Sequence, residues 1–169
     1  GEGEMTEEAV KSFTVEEELQ RALIVRFGFL DGKIRIARPR RIFAVVDQAN
    51  FNAVLTFAIE SLNFTILCTI TGLDNGTTLG FIYHLSRQDG ITLNVQFDVP
   101  KDNPVIQTIT RYFSYAEIYE RELVDLLGAK VDGLSEGKRY PLPDDWPAGQ
   151  YPLRKDWKKP AKPEENKNA

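Results

Sequence analysis

Cysteine and histidine each occur once, as Cys68 and His84, in a chain of 169 residues. A single thiol excludes an intramolecular disulfide framework and an iron–sulfur cluster held by this chain's own cysteines. A single imidazole excludes multi-histidine metal sites and leaves a Ser-His-Asp triad no spare histidine. No run reaches the roughly 18–20 apolar residues of a membrane span. The longest apolar patterns, Ile42–Val46 and Phe64–Ile70, suit buried strands. The opening GEGEMTEEAVKSF is acidic and lacks the apolar centre of a signal peptide, so a soluble, unexported chain is expected. Gly72 to Gly76 has neither the spacing nor the Lys-Ser/Thr ending of a phosphate loop. The net charge of −4 disfavours a generic nucleic-acid binder. Carboxylate chemistry, ligand binding or a part in something larger remain.

Apolar residues make up 42% and charged residues 27%, ordinary values for one globular domain with room for a tail. Residues 1–14 read as a disordered acidic lead, 15–137 as the folded domain, 138–160 as an extended tail and 161–169 as a disordered end. Val15–Phe27 is periodic, with Thr14 as N-cap, Glu17 completing a capping box, and Leu19, Ala22, Leu23 and Arg26 sharing a face. Asp31-Gly32 reads as a hairpin turn leading into a strand over Lys33–Arg38, which Pro39 breaks, and Arg41–Asp47 reads as a second strand. Asp47 caps a helix whose Phe51, Val54, Leu55, Ala58, Ile59 and Leu62 recur at helical spacing. Phe64–Gly72, Thr78–Ser86 and Ile91–Val99 predict an antiparallel meander, turned at Asp74-Asn75-Gly76 and Gln88-Asp89-Gly90. Pro104–Tyr112 reads as a short helix or turn. Ser114 caps a helix over Tyr115–Leu127, ended by Gly128, with Ala116, Tyr119, Leu123 and Leu127 on its apolar face and Glu117 paired to Arg121. The expected fold is α+β: a mostly antiparallel sheet packed with helices, plus an extended proline-rich C-terminal tail.

The tail is the most informative segment. Lys138 to Ala169 holds six of the nine prolines and both tryptophans, Trp146 and Trp157. It carries eight basic and five acidic residues, so it is +3 on a remainder of −7. Proline removes donors and fixes φ, which keeps such a strip out of helices and sheet interiors. Two exposed tryptophans would waste roughly 150–250 Å² of apolar surface each. Either the tail folds back on its own domain or it lies across another protein. Tryptophan and arginine are preferred interface anchors, which favours the partner.

Other candidates have bland alternatives. Glu122 and Asp125 stand three apart on a helix, a spacing open to acid–base or metal chemistry, but a solvated or partner-facing surface is the preferred reading. His84 reads as a hydrogen-bonded structural histidine, and Cys68 as a small buried hydrophobe. Arg35, Arg38, Arg40 and Arg41 cluster around Pro39; phosphate or lipid contact is weighed against a charged strand end. An RNA- or ligand-binding sheet and a carboxylate enzyme stand as alternatives from other classes.

Glu120-Arg121-Glu122-Leu123-Val124-Asp125-Leu126-Leu127-Gly128 resembles the ERE-x-x-D signature of the 30 kDa subunit family of respiratory complex I. Lys138-Arg139 with Leu142-Pro143-Asp144-Asp145-Trp146, and then Pro152-Leu153-Arg154-Lys155-Asp156-Trp157, are similar to that family's later motifs. Tyr83-His84-Leu85 and Val99-Pro100-Lys101-Asp102 also fall where the family has comparable runs. The resemblance implies a non-catalytic subunit of a cytoplasmic peripheral arm, without cofactors of its own. The implied partners are a large catalytic subunit and an iron–sulfur small subunit, which would carry the iron–sulfur clusters and a NiFe centre. Contact with the membrane arm would be indirect, and no nucleic acid is expected. By motif position, Glu120, Arg121, Glu122 and Asp125 become interface or structural polar residues. Lys138, Arg139, Asp144, Asp145, Trp146, Leu153, Arg154, Lys155, Asp156 and Trp157 become the interface of the tail, with Arg154 suited to a carboxylate or carbonyls on the partner. Gly133-Leu134-Ser135-Glu136 departs from the family's Gly-His-Pro-Asp, and no tryptophan precedes Glu120 in Tyr112–Tyr119. These departures point to the corresponding chain of a membrane-bound [NiFe] hydrogenase, with a sulfur-reducing or quinone-reducing relative as the alternative.

Overall fold

The computed structural model describes residues 3–160, with side chains from residue 15 onward; the end read as disordered, 161–169, lies outside the described residues. Helix α1 (Gly3–Arg26) starts before Val15, so Thr14 stands within the helix rather than at its cap and most of the acidic lead has helical backbone. Acidic residues suit a helix N-terminus, where the macrodipole is positive. A single 3₁₀ turn, Gly28–Leu30, follows. Asp31-Gly32 therefore joins this turn to β1 (Ile34–Arg38) and closes no hairpin. The hairpin between β1 and β2 (Arg41–Val45) turns instead at Pro39-Arg40, where Arg40 takes φ 63°.

Next come α2 (Gln48–Leu62), β3 (Ile66–Asp74), β4 (Thr78–Ser86) and β5 (Thr92–Pro100). Where Pro104–Tyr112 reads as a short helix or turn, strand β6 (Val105–Gln107) comes first and turns follow it. Helix α3 (Ala116–Leu127) ends at Gly128 with φ 75°, as its C-cap position requires, and β7 (Lys130–Asp132) pairs in parallel with β6. Asp47 and Tyr115 hold the N-cap positions of α2 and α3 without a side-chain capping bond, so Ser114 is not the cap.

The main sheet runs β1-β2-β5-β4-β3. The meander β3-β4-β5 is antiparallel as its alternation predicts, while β2 pairs in parallel with β5 and α2 carries the chain from β2 to β3 at the far edge. Paired residues share a face, which aligns Ile42 and Ala44, then Leu93 and Val95, then Leu85 and Tyr83 across the sheet. On this face Phe51 of α2 sits 4.5 Å from the Tyr83 ring and 4.7 Å from the Phe97 ring. Helix α3 covers the β3 end of the same face, with Leu123 and Leu127 so close to Gly72 that a side chain there would collide with both. The helices thus lie on one side, and the opposite side carries Phe43, Val45, Ile82, His84 and Gln96.

Tyr83 is fully buried, and its hydroxyl has no hydrogen-bond partner. Burial, and then the nearby Glu120 charge, raise its pKa far out of reach. Because an unmet buried hydroxyl costs free energy, Tyr83→Phe is expected to leave urea stability unchanged or raise it by up to about 1 kcal/mol. A clear loss would show that the hydroxyl has a partner in solution.

Candidate partner-docking site

The ERE segment forms the middle of α3, and its members go different ways. Glu120 is fully buried: its Oε1 accepts the Ile109 amide at 2.7 Å and its Oε2 accepts the Thr108 hydroxyl at 2.7 Å. Of the two roles open to it, interface or structural, it takes the structural one, since no surface is left for a partner. Burial raises its pKa, opposed by the bonds from Thr108 and Ile109. Arg121 grips Glu117 one turn back, at 3.0 and 2.7 Å, and donates to the Ser135 carbonyl at 2.6 Å, which holds the loop after β7 against α3. The Arg121 bond lowers the Glu117 pKa.

Asp125 is buried, and it anchors the first half of the tail. Its carboxylate accepts from Arg139 Nε at 3.3 Å and from the Leu142 amide at 3.2 Å. Arg139 passes on to the Trp146 carbonyl at 2.8 Å. The Trp146 indole donates to the Gln150 carbonyl at 2.8 Å, and the Trp157 indole to Gln150 Oε1 at 2.9 Å, with the rings stacked 6.1 Å apart. Both tryptophans are half-buried against each other and their own chain.

A second clip holds the other half. The last carbonyls of a helix lack intrahelical donors and carry partial negative charge. Here the Leu153 amide reaches the Leu126 carbonyl at 3.0 Å and Arg154 Nε reaches the Leu127 carbonyl at 2.7 Å. The guanidinium lies 4.8 Å over the Tyr151 ring, which itself rests on Gly128. Within the chain, Arg154 thus meets backbone carbonyls at the end of α3. Asp74 Oδ2 accepts the Lys155 amide at 2.8 Å and Lys101 Nζ at 2.8 Å, and Lys101 also reaches Asp156 at 3.0 Å. Burial pushes the Asp74 carboxyl up, yet Lys101 and the Lys155 and Gly76 amides outweigh it and hold it at about 2. The bonds to Asp74 and Asp156 raise Lys101, and Lys101 lowers Asp156.

Arg139, Trp146, Arg154, Asp156 and Trp157 are therefore brought together by bonds within the chain. Lys138, Asp144, Asp145, Leu153 and the Lys155 side chain point outward with Tyr140; Leu153 is 54% and Tyr140 47% exposed. Glu122 lines a cleft with Thr69–Gly72, Leu126 and Leu153, whereas Asp125 faces Arg139, so the two carboxylates do not form the pair that their spacing allows. Among the described residues no group of His, Cys, Asp and Glu is arranged to hold a metal ion. Asp74 and Lys101 were absent from the sequence-derived site. Asp74 belongs to a turn signal and doubles as an Asx turn, with Gly76 N donating to it at 2.8 Å.

His84 fits its structural reading. It lies between Thr71 Oγ1 at 2.8 Å and Asn94 Oδ1 at 2.6 Å, and Asn94 continues to the Ile42 carbonyl at 2.9 Å, a polar chain across four strands. Cys68 departs from expectation: it is exposed, because a bulge between Leu67 and Thr69 shifts the alternation of β3. The arginines gather around the β1–β2 turn, with Arg38 opposite Arg41, Arg35 over Phe43 at 4.8 Å and Arg41 donating to Thr92 at 3.2 Å.

These features define a one-sided α+β domain that holds residues 138–160 against its third helix. Residues 44–163 match the family model described as "Respiratory-chain NADH dehydrogenase, 30 Kd subunit", and the chain belongs to that family. It is 34% identical over 125 residues to a subunit of the F(420)H(2) dehydrogenase of Methanosarcina mazei, covering 72% of this chain and 78% of that one. It is 39% identical over 89 residues to the beta subunit of the membrane-bound hydrogenase of Pyrococcus furiosus, covering 50% and 51%. Among solved structures, a chain of the membrane-bound sulfane sulfur reductase, an archaeal respiratory membrane complex, superposes with a TM-score of 0.76 at 26% identity, over 85% of each chain. Among the described residues no helix is long and apolar enough to cross a membrane.

Proposed function

We propose that this chain is a non-catalytic scaffold subunit in the peripheral arm of a membrane-bound [NiFe] hydrogenase that couples H2 evolution to ion translocation. It docks on the large catalytic subunit at the cytoplasmic face, next to the iron–sulfur small subunit, and meets the membrane arm through them. The NiFe centre and the iron–sulfur clusters reside in those partners, and this chain contributes none. The observation that carries the reading is the extended tail, 138–160: two clips fix it on α3 while Tyr140, Leu153, Asp144, Asp145 and Lys155 face away from the domain. A pre-ordered strip with apolar and charged side chains turned outward loses little entropy on docking. The likeness to a membrane-bound hydrogenase subunit supports the choice of complex. A second reading, a sulfane-sulfur-reducing complex, is favoured by the 0.76 superposition.

Native mass spectrometry of the tagged chain, purified from gently solubilised membranes with nickel and iron quantified, tests this. Co-purifying subunits with both metals support the hydrogenase. Iron without nickel turns the assignment to the sulfur-reducing or quinone-reducing relatives. A chain truncated before Leu142 is expected to fold, by circular dichroism, but to recover none of the partner subunits; full recovery would remove the tail from the interface.

A further inference from the structure

The two edges of the main sheet are treated differently. At one edge, β1 is five residues long, carries Arg35 and Arg38, and is overlaid by α1. Glu16 of α1 accepts the Arg40 amide at 2.6 Å beside that edge, and Gln20 donates to the Ile34 carbonyl at 3.0 Å. Charge, shortness and a covering helix are the devices by which proteins blunt an edge.

The opposite edge has few of them. Strand β3 is nine residues long, ILCTITGLD, and holds no lysine, arginine or proline. It pairs with β4 on one side only. Among the described residues, one bond reaches its outer backbone: the Leu67 amide donates to the Tyr115 hydroxyl at 2.9 Å, at the bulge. From Thr69 to Leu73 the outward amides and carbonyls meet no donor or acceptor among those residues. An open edge that is uncharged from Thr69 to Leu73 is a template for another strand.

The flanks of this edge say what that strand must carry. On the helix side, Thr69–Gly72 border a cleft whose other wall is Glu122, Leu126 and Leu153. Glu122 has no ion-pair partner among the described residues. On the other side Leu73 is 37% exposed.

We propose that Thr69–Leu73 accepts an extended segment of a partner subunit as a sixth strand, with a lysine or arginine of that segment opposite Glu122 and an apolar residue against Leu126 and Leu153. This interface is additional to the outward side of the tail and rests on the assembly reading above. Leu153 belongs to both, so the strand and the tail interface are continuous.

Residue-resolved hydrogen exchange, on the full-length chain alone and within the purified complex, tests it. Some amides of Thr69–Leu73 are expected to exchange fast in the free chain and at least about tenfold slower in the complex, while amides bonded to β4 stay slow in both. Glu122→Lys is expected to keep the thermal midpoint of the free chain and to lower complex recovery at least fivefold. If the complex assembles but these amides exchange as in the free chain, the added strand is refuted and the scaffold reading stands. If no complex forms with the intact chain, the scaffold reading falls and the proposal with it. Concentration-dependent protection with a dimer mass in the free chain would make a second copy the occupant and overturn the assignment to a partner.

Discussion

Replacing Glu120 with alanine is expected to lower the unfolding free energy by about 2–4 kcal/mol, read from urea denaturation. Two donors lose their acceptor at once, the Ile109 amide and the Thr108 hydroxyl, in a place where Ile109 and Glu120 are both fully buried. An unmet buried donor costs about 1–3 kcal/mol, which sets the scale. The opposing effect is relief of a buried carboxylate, and it shows in the raised pKa of Glu120. Glu120→Gln separates the two, because it removes the charge and keeps one acceptor, so its loss should be smaller. The pH dependence follows from the direction of the shift. A carboxyl that keeps its proton to higher pH in the folded state than in the unfolded one contributes fully below the unfolded pKa of about 4.3, and less as pH rises through the folded value. Wild-type stability therefore has a component that falls above that point, and Glu120→Gln lacks it. Equal urea midpoints for Glu120→Ala and wild type would show that the bonds to 108 and 109 carry little.

The same residue shows what a sequence discloses and what it hides. The ERE motif marked Glu120 as special, but a glutamate beside an arginine on a helix reads as solvated. Its burial follows from the 108–113 segment folding over α3, and nothing local in Pro104–Tyr112 announces that. The alternation in Thr78–Ser86 and Ile91–Val99 gave the meander, because one buried face enforces a period of two. The parallel β2–β5 and β6–β7 pairings were hidden because they join segments far apart, and β6 and β7 are each three residues long. Cys68 was misplaced because a bulge shifts which side chains face inward, and bulges leave no signal in an apolar run. That Arg154 reaches the Leu127 carbonyl is a tertiary fact with no local signal. Residues 138–160 are in neither helix nor strand, but composition could not show that Gln150 unites both indoles.

Asp74→Ala is expected to release the second half of the tail from the domain without unfolding it. The Lys155 amide, Lys101 Nζ and the Gly76 amide all lose the carboxylate that holds them. Hydrogen bonds to a charged group contribute about 1.5–3 kcal/mol each and are not additive here, so a loss of roughly 2–4 kcal/mol in tail docking is the expected scale. Both tryptophans of the chain lie in the tail, so indole fluorescence reports the tail and far-ultraviolet circular dichroism reports the domain. In the variant, indole emission at pH 7 should shift to the red while the dichroism stays unchanged. Acid should do the same to the wild type. Asp74 titrates at about 2 in the folded protein against an ordinary 3.8, so its contribution is present above about 4 and is lost as pH falls toward 2. Lys101, whose pKa is raised, keeps its charge throughout that window and cannot be the cause. The wild-type emission change is thus expected between pH 4 and 2. The variant should show no emission change in that interval. An acid transition of the same size in the variant would show that the pH sensitivity does not come from Asp74.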